Sequence, residues 1–255
     1  MKLSAVILTK NEEKNIVGCI NSLSFCDEIL LIDDESNDKT RDIANTIKGA
    51  SIRVISHSLN GDFAAQRNFA LTKAHNEWVL FVDADERVSE KLAQEITNIQ
   101  VTDSQEPDGY YIQRKDILWG RELQFGETGE IKLLRLAKKD SGKWVGNVHE
   151  TWQVKGEVKT LSHPLIHYPH QIVSEFLQEI NQYSTMRAEE LFAKKIKSNL
   201  FWIILYPKMK FLKNYIYLKG YKDGTSGFIH AVLMSFHSFL VRAKLYLLWK
   251  GIKNT

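Results

Sequence analysis

The sequence contains very little cysteine, with only Cys19 and Cys26 among 255 residues. Two thiols without a group of neighbouring metal ligands exclude a disulfide-stapled fold and a cysteine-based zinc site. We therefore expect two buried, free thiols in a protein that works in a reducing cytoplasm.

Two common nucleotide-binding motifs are also absent. No G-x-G-x-x-G follows the first apolar run, which argues against a dinucleotide-binding fold of the usual kind. No G-x-x-x-x-G-K-[ST] occurs, which argues against a P-loop kinase or ATPase. The apolar run at 3–8 is short and acids follow it at once, so we do not expect a signal peptide.

Acidic residues are almost missing from 194–255, where 12 lysines and arginines accompany one acid, Asp223, for a net charge of +11. The other 193 residues carry −8, and 12 of the 27 aromatic residues lie in the basic end. A basic, aromatic-rich end on an acidic body predicts an anionic partner, either a membrane or a nucleic acid. We favour the membrane, because no nucleic-acid-binding motif is recognisable.

A single apolar run, 228–249, has the length to span a bilayer. It contains His230, His237, Arg242 and Lys244, whereas a span needs about 20 predominantly apolar residues, so insertion across a bilayer would be costly. The composition fits a helix that lies in the membrane interface better. The alternative is a helix that packs on the body of the protein.

The first hundred residues alternate between apolar runs typical of strands, at 3–8, 28–34, 52–56 and 78–82, and segments with helical spacing, at 13–23, 36–48, 62–74 and 89–99. This alternation predicts an α/β fold with a mostly parallel sheet and helices on both faces. Ligands of such sheets bind beyond the carboxyl ends of the strands. The polar residues at the predicted strand ends are Thr9, Asn11, Glu12, Asp33, Asp34, Asp83 and Asp85.

The run WVLFVDADERV (78–88) places Asp83 and Asp85 directly after a strand. If the strand continues, both carboxylates point to one face. Two such oxygen ligands suit Mg²⁺ or Mn²⁺, with a phosphate completing the coordination shell. Alternatively, Asp83 is solvated and Asp85 belongs to a turn before the next helix. A phosphatase with an aspartyl nucleophile is disfavoured, because Arg87 stands where that class has Thr or Val.

Two further groups could contact a nucleotide. Asp33 and Asp34 end the second strand, where a carboxylate can accept a hydrogen bond from a base N–H or a ribose hydroxyl. The alternative for this pair is an ordinary acid-capped turn. Arg67, on the third helix, could bind phosphate with two hydrogen bonds, or could be a solvated surface arginine.

Four segments, VILTKNEEKNI, ILLIDDESNDKT, AAQRNFAL and WVLFVDADERVS, resemble in order and spacing the family 2 glycosyltransferases of the GT-A fold. KWVGNVHETW and YLKGYKDGTSGFIHAV are similar to segments of a bacterial subgroup that includes the lipopolysaccharide core glucosyltransferases. The resemblance covers nearly the whole chain. It implies a GT-A fold, with a mostly parallel central sheet flanked by helices and a helical C-terminal appendage.

The resemblance also implies a domain division. A GT-A catalytic domain at 1–170 would have a nucleotide-sugar half at about 1–100 and an acceptor half at about 101–170. The remaining residues, 171–255, would form a helical, basic and aromatic-rich region associated with a membrane surface.

Roles in nucleotide binding follow residue by residue from the resemblance. Thr9 and Glu12, with Asn11 beside them, fall in the loop that touches the nucleotide. Asp33 and Asp34 fall where an acid holds the base, and Asp34 is the favoured one.

The resemblance further implies a metal-and-diphosphate site at Asp83 and Asp85, with Asp85 the more direct ligand and Arg67 near the phosphates. His149 and His167 could also ligate the metal, although a lone histidine is more often structural.

A family member that inverts the anomeric centre needs one carboxylate as general base. Glu150, in the VHE segment, is the favoured candidate, with Glu127 and Glu130 as competitors. A structural role for Glu150 is the alternative.

The sequence thus predicts a metal-dependent, inverting glycosyltransferase at the cytoplasmic face of a membrane. Its donor would be a nucleotide sugar, most simply a UDP-sugar, and its acceptor a membrane-anchored glycolipid such as lipopolysaccharide core. The alternatives are an enzyme for another surface polysaccharide and a non-catalytic protein that binds sugar nucleotides or glycans. The presence of Asp83, Asp85 and Glu150 favours an enzyme.

Overall fold

A computed structural model of the chain describes residues 1–47, 51–99, 107–129, 131–146, 150–169 and 171–252. The chain divides into two compact units, which we call the sheet unit (Met1–Arg114 and Lys132–His167) and the helical unit (Lys115–Ile131 and Tyr168–Thr255). The predicted domain boundary at 170 stays a prediction. The two units differ from the predicted domains in the placement of one segment. Lys115–Ile131, which we placed in the acceptor half, belongs to the helical unit.

Twelve strands are found among the described residues. They are β1 (Leu3–Thr9), β2 (Glu28–Asp33), β3 (Ile52–Ser56), β4 (Trp78–Asp83), β5 (Glu86–Val88), β6 (Gly109–Leu118), β7 (Arg121–Leu123), β8 (Ile131–Lys138), β9 (Gly142–Val145), β10 (Thr151–Val154), β11 (Val158–Thr160) and β12 (Leu165–His167).

Seven α-helices accompany them in the described part of the chain. They are α1 (Ile16–Ser22), α2 (Thr40–Thr46), α3 (Phe63–Lys73), α4 (Glu90–Thr97), α5 (Val173–Ala193), α6 (Leu200–Phe211) and α7 (Gly224–Trp249). The short helices are two 3₁₀ turns, Gly126–Thr128 and Gly220–Asp223, and a π-helix, Leu212–Tyr217.

The main sheet has the strand order β3-β2-β1-β4-β8-β6-β12-β5. β3, β2, β1 and β4 are parallel, as predicted, whereas β8 runs antiparallel to β4 and β12 antiparallel to β5. β11 pairs with β6, and β9 and β10 form a separate hairpin. The predicted α/β architecture is therefore confirmed, with antiparallel pairings after β4 that the alternating pattern did not show.

β1, β2 and β4 are buried on both faces, whereas β3 at the edge of the sheet is only partly buried, and the side chains of the buried strands alternate between two cores. Ile7 and Leu31 pack in the core that includes residues of α1 and α4, while Val6, Leu30 and Phe81 pack in the core that includes α3. Burial on both faces explains why these strands read as continuous apolar runs. The two-residue period also decides which face each strand-end side chain reaches.

Side-chain caps fix two helix starts next to these strands. Ser89 accepts a hydrogen bond from the backbone N–H of Leu92, at 3.2 Å, which confirms it as the N-cap of α4. Asp62 accepts one from Ala65 at the start of α3, at 2.9 Å. Such caps satisfy backbone donors that a helix terminus leaves unpaired.

The helical unit is built around α7, which packs against α5 and α6. Its small buried core contains Ala188, Leu191, Val241 and Leu245. By length and composition alone, Gly220–Trp249 is the one helix among the described residues that could cross a membrane. This is a weak indication, since a core helix of a soluble protein meets the same criterion.

Glu28 offers a test of the sheet unit's stability. Its buried carboxylate accepts hydrogen bonds from Ser4 Oγ (2.5 Å), the backbone N–H of His75 (2.9 Å) and Arg53 (2.6 Å). Burial raises the pKa of Glu28, but these three hydrogen bonds lower it by more, so the net pKa is below its ordinary value.

We expect Glu28→Gln to destabilise the protein by about 1–3 kcal/mol at pH 7, since a charged, hydrogen-bonded acceptor is lost. A carboxyl whose pKa is lower in the folded state stabilises above its unfolded pKa, and this contribution is lost as the pH falls through the folded value. The difference between wild type and variant, measured by urea unfolding, should therefore shrink below about pH 4. A difference that stays constant from pH 7 to pH 3 would contradict this account.

Candidate active site

The ends of three parallel strands meet at one edge of the sheet. Thr9 pairs in register with Asp33, and Leu8 pairs with Asp83, so β1, β2 and β4 end at the same level. Thr9 is buried there, and its Oγ1 has no hydrogen-bond partner among the residues that the structure describes. The site residues predicted on these strands therefore do converge.

The loop after β1 is held against the loop after β2. Asn11 adopts a left-handed backbone (φ +57°), which asparagine tolerates better than most residues. Its N–H donates to Ser36 Oγ (2.9 Å), its Oδ1 accepts from Asn37 N (2.8 Å), and the N–H of Glu12 donates to Thr40 Oγ1 (2.7 Å). These bonds fix the two predicted nucleotide loops as one piece.

The two acids at the end of β2 have different environments. Asp33 is fully buried and accepts hydrogen bonds from the N–H (3.0 Å) and Oγ (2.5 Å) of Ser36, so it holds the turn. Asp34 accepts from Lys10 Nζ (2.7 Å) and from the N–H of Leu59 (2.8 Å), and its side chain is 11% exposed, whereas that of Asp33 is fully buried. Of the two, Asp34 is the acid that a ligand can reach.

Asp83 and Asp85 do not point the same way. β4 ends at Asp83, and Ala84–Asp85 form a turn before β5. Asp83 follows Phe81 on the α3 face of the sheet, whereas Asp85 Oδ2 lies 3.0 Å from His167 Nε2 on β12. The strand period of two is broken between them, so the two carboxylates bind different partners.

Both oxygens of Asp83 are bound by buried guanidiniums. Arg135 NH2 donates to Oδ2 (2.5 Å) and Arg67 NH2 to Oδ1 (3.0 Å). Burial raises the pKa of Asp83, but the charges of Arg135 and Arg67 lower it by more, so the net pKa lies far below its usual range. Asp83 is therefore an ionised anchor for two arginines.

Glu86 completes this cluster from the start of β5. Its Oε2 accepts the N–H of Asp83 (2.9 Å), and its Oε1 accepts from Arg135 NH2 (3.2 Å). Burial raises the pKa of Glu86, an effect that the charge of Arg135 opposes. We did not predict Arg135 or Glu86 from the sequence; the available signal for Arg135 was a charged residue between two leucines of an apolar strand run, Leu134 and Leu136.

Arg67 links Asp83 to the predicted base. Its Nε donates to Glu150 Oε1 at 2.9 Å, and its guanidinium lies 4.7 Å from the ring centroid of Trp144 and 5.4 Å from that of Phe81. The side chain is buried, so it is not the solvated surface arginine of our alternative. Glu150, 67 residues after Asp83 in sequence, is brought to the same strand edge by this contact.

Few of the predicted metal ligands lie together. Asp85 and His167 are the predicted ligands that contact each other, and Asp83 is bound by arginines instead. No group of three or more His, Cys, Asp or Glu side chains suited to a metal occurs in the described ranges. His149, our other candidate, lies outside the described residues.

The competing base candidates are placed elsewhere. Glu127 belongs to the helical unit, where its carboxylate accepts hydrogen bonds from Lys210 Nζ and from Asn214 Nδ2 (3.1 Å). Glu130 lies outside the described residues. Cys19 and Cys26 are free and buried, as predicted, and burial raises the pKa of both thiols, so neither is a reactive nucleophile.

Comparison with known families identifies the chain. The model of glycosyl transferase family 2 matches residues 4–138, which include β1–β4 with their strand-end acids. The chain belongs to this family. It is a glycosyltransferase, and the family resemblance of its motifs is confirmed.

Two relatives match this glycosyltransferase over most of their length. A lipopolysaccharide core biosynthesis glycosyltransferase, LpsC, of Rhizobium meliloti (strain 1021) is 30% identical over 96% of the chain and 92% of the relative. An uncharacterised glycosyltransferase of Rickettsia typhi is 28% identical over 96% of the chain and 86% of the relative.

Solved structures confirm the GT-A fold of this glycosyltransferase. Staphylococcus aureus TarS 1–349 in complex with UDP-GlcNAc has a TM-score of 0.50 at 15% identity, over 99% of this chain and 93% of that one. Mannosyltransferase PcManGT from Pyrobaculum calidifontis, in complex with GDP-Man and Mn²⁺, has a TM-score of 0.50 at 13% identity, over 98% and 87%. At these identities the likeness concerns the fold alone.

Proposed function

We propose that this glycosyltransferase transfers a sugar from a nucleotide sugar, with UDP as the favoured nucleotide, to a membrane-anchored glycolipid. The observation that carries the proposal is the convergence of Thr9, Asp34 and Asp83 at one strand edge, with Glu150 tied to it through Arg67. The TarS and mannosyltransferase complexes, which contain UDP-GlcNAc and GDP-Man, support a nucleotide-sugar donor.

The acceptor class follows from the relatives. LpsC is a lipopolysaccharide core biosynthesis glycosyltransferase, and its similarity along the chain supports a lipopolysaccharide-type acceptor. An acceptor of this kind places the enzyme peripherally on the inner face of the cytoplasmic membrane. Another surface polysaccharide is the alternative acceptor.

For the donor, we assign the base or ribose to Asp34, whose carboxylate is the accessible one at the end of β2. The fixed loop at Asn11 and Glu12 would line the nucleotide, and the unpartnered Thr9 Oγ1 supplies a further polar group at this edge. Asp33 holds the turn behind them and need not touch the ligand.

A divalent cation fits Asp85 and His167. Asp85 Oδ2 and His167 Nε2 share a hydrogen bond at 3.0 Å, which a cation bound to both atoms would replace, and the carboxylate is an oxygen ligand that suits Mg²⁺ and Mn²⁺. Mg²⁺ and Mn²⁺ sites of this type are completed by substrate phosphates and water, so two protein ligands suffice. When bound, the cation would neutralise charge on the departing diphosphate. We do not assign Asp83 as a ligand, since arginines occupy both of its oxygens.

Glu150 is the proposed general base. Arg67 engages Oε1 and orients the carboxylate, so we assign the proton transfer to Oε2. As the acceptor hydroxyl oxygen attacks the anomeric carbon in line, its proton passes to Glu150 and the bond between that carbon and the diphosphate oxygen breaks. The bonding electron pair leaves with the diphosphate. This displacement inverts the anomeric centre and yields a β-linked product from an α-linked donor.

A panel of sugar nucleotides, with and without Mn²⁺, tests the donor and metal assignments by thermal stabilisation. We expect a UDP-sugar to raise the Tm of the wild type in Mn²⁺, and Asp85→Asn to weaken the apparent affinity at least tenfold, because one metal oxygen is replaced by an amide. Asp140→Asn, an exposed acid on the β8–β9 turn, is the matched control and should behave as wild type.

Two outcomes would overturn this assignment. If no nucleotide stabilises the protein under any metal condition, the chain is not a nucleotide-sugar transferase of this kind. If Asp85→Asn matches Asp140→Asn, the metal is held elsewhere or is not used.

A further inference from the structure

Helix α6 and the π-helix after it present an apolar surface that the helical unit does not cover. No residue of α6, which the structure describes in full, is buried. The most exposed apolar side chains are 47–79% exposed, and we call them the α6 face: Leu200, Phe201, Ile204, Met209, Leu212, Ile216 and Tyr217. Monomeric soluble proteins rarely expose contiguous apolar patches of this kind without a partner.

In the described part of 194–255 the exposed charges have one sign, and Glu127, which reaches α6 from outside this stretch, is already bound by Lys210 and Asn214. Asp223, the single acid of 194–255, is buried, and its carboxylate accepts the backbone N–H groups of Gln124 (3.3 Å) and Phe125 (2.9 Å). No acid of the described part of this stretch therefore reaches the surface. Lys208 and Lys213 lie on the same two helices as the α6 face, and both are exposed.

A pocket of about 810 Å³ is formed partly by the α6 face itself, through Leu212, Ile216 and Tyr217. It is lined mainly by apolar and aromatic side chains, among them Tyr206, Met209 and Ile216, together with Lys213 and with Ser238 of α7. Its volume is within the range of about 300–1,000 Å³ typical of small-ligand sites. An apolar pocket with a cationic side chain suits the hydrocarbon chain of an anionic amphiphile.

An anionic bilayer fits these features better than the other occupants. A second copy of the chain would bring two lysine-bearing faces together without acids to pair with them. A nucleic acid would use the lysines and the aromatic side chains, but it would leave Leu200, Ile204, Leu212 and Ile216 exposed to water. A bilayer accounts for both the apolar side chains and the lysines, because its interior accepts the former and its anionic headgroups attract the latter.

We propose that the α6 face inserts into the interface of an anionic bilayer and that the pocket takes a phospholipid acyl chain. The proposal deepens the proposed function, on which it rests for the membrane-anchored acceptor. It adds α6 to the interfacial helix that we predicted at 228–249, which stays a prediction. α7 packs against both α5 and α6, but its side chains Phe228, Val232 and Phe236 are still 41–46% exposed.

The test compares two substitutions that each exchange an exposed apolar residue for an acid. Ile204→Glu changes the α6 face, and Val17→Glu changes α1 of the sheet unit, where Val17 is similarly exposed. The full chain is sedimented with vesicles of phosphatidylcholine alone or mixed with phosphatidylglycerol. We expect binding to the mixed vesicles, at least tenfold weaker binding for Ile204→Glu, and no change for Val17→Glu. Phosphatidylcholine alone should bind poorly.

Several results would contradict the proposal. The two variants could bind the mixed vesicles equally well, or the wild type could bind no vesicles. The wild type could also form a concentration-dependent dimer that the Ile204→Glu substitution dissociates. Binding of duplex DNA or RNA in a gel mobility shift experiment, without vesicle binding, would also contradict it. Circular dichroism checks folding, and Leu212→Glu serves as a second variant of the same face.

Donor binding is measured on the same samples. Retained UDP-sugar stabilisation in Ile204→Glu separates loss of membrane contact from loss of the proposed function. Conversely, vesicle binding without any response to nucleotide sugars would support the α6 face and contradict the proposed donor.

Discussion

Glu150→Gln is expected to lower the rate of sugar transfer by about 10²–10⁴-fold and to leave donor binding unchanged. The amide oxygen can still accept the Arg67 Nε hydrogen bond, so the side chain should stay in place. What the amide cannot do is take the proton of the acceptor hydroxyl. The rate should be measured as product formed from a UDP-sugar and a glycolipid acceptor, with donor affinity measured separately by thermal stabilisation.

The matched control is Glu127→Gln, which changes the competing carboxylate. Glu127 is held by Lys210 and Asn214 in the helical unit, and we expect its variant to retain transfer. Full activity in Glu150→Gln would remove Glu150 from the mechanism. If Glu127→Gln were the inactive variant, the base would have to be reassigned to Glu127.

Arg135→Met is expected to destabilise the protein by about 3–5 kcal/mol, the usual effect of removing one partner of a buried ionic cluster. Arg135 is buried and binds both Asp83 and Glu86, so its loss leaves two carboxylates at the strand edge with fewer donors. Urea unfolding at pH 7 gives the measurement, and an unfolding free energy within about 1 kcal/mol of wild type would contradict this role.

The second substitution Glu86→Gln provides an internal control for this effect. In the Arg135→Met background it removes one of the stranded charges, so the double variant should be more stable than Arg135→Met alone. In the wild-type background it removes a partner of Arg135 and should not stabilise to the same extent. The difference between the two backgrounds measures the coupling of Arg135 to Glu86.

Local sequence pattern was sufficient for the first half of the fold. The apolar runs and helical spacings of residues 3–99 predicted β1 to β4 and α1 to α4. Strands buried on both faces leave an unmistakable apolar signature, and Ser89 marks a helix start by its own side-chain chemistry. The convergence of the strand ends followed from parallel order alone.

The partners of the site residues were not predictable in this way. Asp83 was assigned to a metal with Asp85, but the strand stops at Asp83, and the two carboxylates bind different partners. Arg135 reaches Asp83 because β8 lies antiparallel beside β4, a pairing between segments about fifty residues apart that no local period encodes. The buried environment of Arg67 likewise depends on Trp144 of the β9–β10 hairpin.

The sequence by itself determined the family, the parallel half of the sheet and the acids at its strand ends, because these depend on short-range periodicity and on motif order. Only the tertiary structure decided which carboxylate is anchored by arginines, which one meets His167, and that no residue of α6 is buried. Those properties depend on which distant segments pack together, and burial against a specific neighbour sets both the charge state and the availability of a side chain.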